Sequence, residues 1–122
     1  MEPLNKNKLS TAKLFILAGL LLLAIGMLFG LTGALQYLIT DFIKQYLSFE
    51  KVRPLHVSSV VFWIIFAAIG SVLIYLQQYN GKVIFSPLLL KIQFAIFSIS
   101  VFAILVSYCF GVFGGREYWE FH

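Results

Sequence analysis

The sequence predicts an all-α integral membrane protein of three transmembrane helices, and three observations carry that fold class. Hydrophobic residues make up 61% of the 122 positions and charged residues only 11%, whereas a soluble domain has roughly 25% charged residues. The apolar residues form three runs, each long enough to cross the ~30 Å hydrocarbon core of a bilayer. The basic residues stand at the ends of these runs, as the positive-inside rule places them. A soluble chain this apolar could not cover itself with polar surface; a bilayer removes that requirement.

The whole chain, 1–122, reads as one membrane domain, with spans over about 14–38, 55–78 and 88–113 and an interfacial segment over about 39–52. The first apolar run goes from Leu14 to Leu38, broken only by small residues and Thr32. It has a basic start (Lys6, Lys8, Lys13) and a weak cleavage-like Thr32-Gly33-Ala34. It is longer than the ~7–15 residues of a signal-peptide core, so an uncleaved helix is expected. The stretch from Gln36 to Arg53 mixes Tyr37, Phe42, Ile43, Tyr46, Leu47 and Phe49 with charges at helical spacing. It predicts an amphipathic helix lying in the membrane interface. The second run spans Val57 to Leu76, with Pro54 suited to the first turn of its helix. Asn80-Gly81 signals a tight turn. The third run extends from Ile92 to Phe113, with Lys91 and Gln93 at its start. Helices are required because lipid offers no partner for backbone N–H and C=O groups.

Orientation follows from charge. With the N-terminus inside, five basic residues (Lys6, Lys8, Lys13, Lys82, Lys91) face the cytoplasm against Glu2 alone. Outside, Lys44, Lys51, Arg53 and Arg116 are balanced by Asp41, Glu50, Glu117 and Glu120. His56 and the C-terminus therefore lie on the outer side. The formal net charge of +4 is not gathered into a basic face, so nucleic-acid binding is a poor reading. The single cysteine, Cys109, sits in an apolar run and can form no internal disulfide.

Gly26 and Gly30 form a GxxxG step, with Gly19, Gly33 and Ala34 nearby, which predicts close helix approach. In the second span His56, Ser59, Val60, Trp63, Ala67, Gly70 and Ser71 share one face, able to receive another helix or the edge of a flat cofactor. Trp63 could equally be packing or lipid contact. Ser98, Ser100 and Ser107 suit bonds back to the backbone or to a neighbouring helix. Tyr108 and Trp119 suit an outer aromatic belt.

His56 is the candidate for chemistry. Ionisable residues in membrane spans are rare and default to functional hypotheses. A neutral imidazole can give one lone pair to a metal while its other nitrogen finds a hydrogen-bond partner. From position alone, an interfacial histidine with its tip in water is the competing reading.

Arg53-Pro54-Leu55-His56-Val57, followed by an apolar helix with Trp63, resembles the start of helix two in the catalytic subunit of the haem-copper oxidase superfamily. Gly114-Gly115-Arg116-Glu117-Tyr118-Trp119-Glu120-Phe121 resembles the glycine-arginine-glutamate segment after helix three of bacterial nitric oxide reductases. The first motif is shared with cbb3-type oxidases; the second leans toward nitric oxide reductase. The resemblance covers nearly the whole chain, and the two motifs at the right separation are stronger together than either alone.

The resemblance implies the first three helices of a fold of about twelve. It implies that His56 is an axial ligand of the low-spin haem b. Arg116 would pair with a haem propionate, Glu117 would help bind a structural calcium ion, and Glu120 would take part in proton transfer from outside. It also implies a bacterial inner membrane as the location. The partners would be the lipid bilayer, the remainder of the catalytic subunit and, in some members, a cytochrome c subunit. The family pattern needs further histidines on both haems and on the copper or non-haem iron, but this chain contains only His56 and His122. Copper or non-haem iron is therefore not expected to bind this chain. The chain also stops where the family segment usually continues with proline. It is expected to be a fragment, a truncated reading frame or one piece of a split subunit, supplying a haem ligand for electron transfer but inactive alone. The alternative is a cofactor-free three-helix accessory or assembly protein. A small transporter lacks support, because no span carries an acid or base at mid-depth.

Overall fold

The structure, a computed structural model, describes residues 10–39, 41–80 and 86–112. Three helices follow in order: α1 (Ser10–Leu38), α2 (Phe49–Asn80) and α3 (Pro87–Cys109). Among the described residues all regular secondary structure is helical, and each helix is long and apolar enough to cross a membrane. At 1.5 Å per residue the 29, 32 and 23 residues of these helices extend about 44, 48 and 35 Å, each more than a hydrocarbon core.

The helix ends differ from the expected ones for local reasons. α2 starts at Phe49, well before the expected 55, which puts Pro54 inside the helix rather than in its first turn. The extra turn is held by Ser48, whose carbonyl accepts from the Lys51 and Val52 N–H groups at 2.9 and 3.0 Å. α3 begins with Ser86 as its N-cap and Pro87 in the first turn, where a missing N–H costs nothing. It stops at Cys109, short of the expected 113. Gly111 adopts a left-handed φ of 76°. Its N–H bonds the Tyr108 carbonyl at 3.0 Å, and the Val112 N–H bonds the Ser107 carbonyl at 3.0 Å. That crossed pair is a Schellman ending, which satisfies the last carbonyls and turns the chain off the helix axis.

The interfacial helix expected in the stretch from Gln36 to Arg53 does not form as a separate element. Residues 41–46 are turns, and the amphipathic pattern there continues only as the first turns of α2. Ile43 has φ 53°, a left-handed conformation that a β-branched residue adopts only under constraint and that interrupts any helix. The constraint is visible: the Gln36 amide at the end of α1 donates to the Leu47 carbonyl at 2.7 Å, folding the segment back onto α1. The expected turn at Asn80-Gly81 falls partly outside the described residues.

α1 and α2 pack on each other along their length, and α3 touches both more lightly. As the α1 position rises from Ile16 to Gly33, its α2 neighbour falls from Gly70 to Val52, so the pair is antiparallel. At one end all three helices meet around interleaved rings. Phe15 lies 5.6 Å from Phe66 and 5.0 Å from Phe94, and Phe66 lies 5.9 Å from Phe97, all in tilted or edge-on geometry. Ala12, Leu22, Phe62, Leu73, Leu90 and Val101 complete this core, with Trp63 partly buried against it. Tyr75 and Tyr79 stack one turn apart at the same end, exposed as interfacial aromatics are. Tyr108, expected to face the headgroups, is instead 5% exposed. Ser107 bonds back to the Ile104 carbonyl at 2.7 Å as expected. The outward faces remain apolar: Leu17, Leu21, Leu28 and Leu31 on α1, Ile64 on α2, and Ile99 and Phe102 on α3 are all exposed. Such faces suit lipid and further membrane helices.

Candidate functional site

The other end of the α1–α2 pair is built from glycine. A Cβ added at Gly26 would lie 3.0 Å from Val60 Cγ2 and 3.3 Å from Ser59 Cβ, and one at Gly33 would lie 3.4 Å from Val52 Cγ1. The face of α2 that could have received a cofactor edge or a helix therefore receives α1. Ser71 departs from it and is exposed.

His56 stands in this seam, on the early turns of α2, with its ring half-buried. Its Nδ1 lies 2.6 Å from the Gly26 carbonyl oxygen of α1. A carbonyl only accepts, so Nδ1 carries the proton and donates; in the neutral ring Nε2 then holds the free lone pair. This is the pattern of a metal-ligating histidine, whose second nitrogen is fixed by a backbone carbonyl. A Cβ at Gly30 would sit 2.8 Å from both Nδ1 and Cε1 of His56.

The surroundings are sparse in charge. Arg53, one turn before His56, is exposed. Ser59, one turn after it, is fully buried, with a hydroxyl that makes no hydrogen bond. Among the described residues no group of three or more His, Cys, Asp or Glu side chains could hold a metal ion. The donor set that is described therefore fits one axial position of a haem, for which one imidazole suffices.

Arg116, Glu117 and Glu120 lie outside the described residues, as do Trp119 and His122. The point from which their segment departs is described. A Cβ at Gly111 would lie 3.4 Å from Lys51 Cε, so the end of α3 lies beside the start of α2, at the His56 end of the bundle. Lys51 there is a cation beside the negative end of the α3 dipole.

Sequence reasoning singled out His56 and the Gly26–Gly30 step separately. It missed that they form one unit. The missing information was the register of α1 against α2; the shared 3–4 residue spacing of the two small faces was the available signal.

Residues 10–122 match the family model described as cytochrome c and quinol oxidase polypeptide I. A curated relative, a nitric oxide reductase subunit of Stutzerimonas stutzeri, is 28% identical over 101 residues, covering 83% of this chain and 21% of that protein. The chain thus spans about a fifth of that relative's length. No solved structure matches.

Proposed function

This chain belongs to the cytochrome c and quinol oxidase polypeptide I family, and on that premise we propose that it supplies His56 as one axial ligand of a low-spin haem b used for electron transfer. The family implies haem cofactors, a multi-pass membrane location and a larger oxidase complex. The observation that supports the specific assignment is the hydrogen bond from His56 Nδ1 to the Gly26 carbonyl, which leaves the Nε2 lone pair for a metal.

When bound, the haem would supply one-electron transfer, and His56 is the residue of this chain that would hold it. The chain's own residues do the rest. α1 and α2 hold the imidazole in one orientation and one tautomer.

The segment after α3 takes the polar roles in this proposal. Arg116 pairs with a propionate, since a guanidinium suits bidentate carboxylate contact. Glu117 contributes a hard oxygen ligand to calcium, and Glu120 passes protons. His56 and this segment face the outer side of a bacterial inner membrane, with the N-terminus cytoplasmic and the stretch over 39–52 at the outer interface. The nitric oxide reductase relative favours that branch over an oxygen reductase. These 122 residues carry too few histidines for copper or non-haem iron and a second haem; in this proposal the remainder of the catalytic subunit supplies those ligands, and these residues alone turn over no substrate.

The test is optical. In the complex purified from membranes, His56→Ala should abolish the six-coordinate low-spin haem b spectrum. An unchanged spectrum would overturn the assignment and leave the cofactor-free accessory reading.

A further inference from the structure

We propose that Gly30 is a positioning residue for His56: by lacking a side chain it opens the Gly26 carbonyl to the His56 Nδ1–H, and so sets the donor strength of Nε2 and the potential of the haem it ligates. This rests on the haem reading above.

The Gly26 carbonyl points along α1 toward the N–H of residue 30. The side chain of a helical residue leans toward the N-terminus and covers the turn before its own Cα. A side chain at position 30 therefore stands over the carbonyl of residue 26. A carbonyl has two lone pairs, one of which serves its own helix. With glycine at 30, the second is reachable from α2, and the His56 ring occupies the space that a Cβ would take.

Something must shift to relieve the overlap. An alanine Cβ would lie 2.8 Å from two ring atoms at once, and the ring would have to move off the Gly26 carbonyl. An imidazole that donates from Nδ1 is a stronger base at Nε2. A stronger base favours the ferric state, so the bond lowers the potential and losing it raises the potential.

Gly70 separates positioning from packing. A Cβ there would meet Ile16 Cγ1 at 2.6 Å and the Ala12 carbonyl at 2.9 Å, an overlap at least as severe, toward the other end of the pair and without His56. In the assembled complex, Gly30→Ala should raise the haem b potential and weaken haem retention about 10–100-fold, the usual effect of losing such a hydrogen bond. A tenfold change in the relative stability of the two oxidation states corresponds to about 59 mV for one electron. Gly70→Ala should lower stability while the haem keeps its unmodified spectrum and potential. A Gly30→Ala complex with the unmodified potential and retention would overturn the proposal.

Should Gly30→Ala fail to assemble, His56→Gly with added imidazole or 1-methylimidazole asks the same question. Imidazole carries the N–H that the Gly26 carbonyl accepts, whereas 1-methylimidazole carries none. The imidazole complex should have the lower potential; equal potentials, or binding of neither, overturn the proposal. Retention of six-coordinate haem in His56→Ala would instead overturn the haem reading itself, a result that involves no change at Gly30.

Discussion

The two ends of the α1–α2 pair solve the same packing problem with opposite materials. At the Phe15 end, four phenylalanine rings fill the space between three helices, and the core is made of bulk. At the His56 end, Gly26, Gly30 and Gly33 remove bulk, and two helices approach until backbone and side chain touch. Lipid tails are as apolar as the side chains they replace, so neither end is driven together by the hydrophobic effect as a soluble core would be. The rings gain dispersion contacts. The glycines gain access to backbone polar groups, which is what a histidine needs. The aromatic end holds the helices together; the glycine end aims one imidazole.

Substitutions at the two ends should therefore fail differently. The largest stability effect is expected from Phe66→Ala, which empties the centre of the ring cluster. Large-to-small core changes of this kind cost about 3–5 kcal/mol. A denaturant titration in detergent should show that loss, while the haem spectrum of the folded fraction stays unmodified. A spectral change as large as the stability change would show that the two ends are not separate.

At the glycine end, Gly26→Ala should cost about 1–3 kcal/mol by overpacking. The nearest obstruction is Val60 Cγ2, so adding Val60→Ala should recover part of the loss. A double-mutant cycle in the same titration measures that coupling, and strict additivity would contradict the seam as described. The smallest effect belongs to Gln36→Ala. It removes one side-chain bond to the Leu47 carbonyl, worth about 1 kcal/mol. It should show as faster amide exchange over residues 41–48 with little global loss.

How much of this was legible beforehand depended on range. The three helices were plain, because length and apolarity alone decide a membrane span. Their ends were less so. Gly111 ends α3 through a backbone pattern that a run of apolar residues does not reveal. The 39–52 segment reads as amphipathic, yet the Gln36–Leu47 bond and the left-handed Ile43 turn it instead. Tyr108 reads as a belt residue, but its burial depends on which face α3 turns inward. His56 stood out as a histidine beside a membrane span in a recognisable string. Its partner was invisible, because a backbone carbonyl on another helix leaves no mark in the sequence except the glycine that uncovers it.

The central claim is that His56, held by the Gly26 carbonyl, ligates haem, and the most direct measurement is the low-temperature optical spectrum of His56→Ala in the assembled complex. Loss of the low-spin haem b bands is the predicted result. A six-coordinate haem b spectrum indistinguishable from that of the unmodified protein would contradict the account.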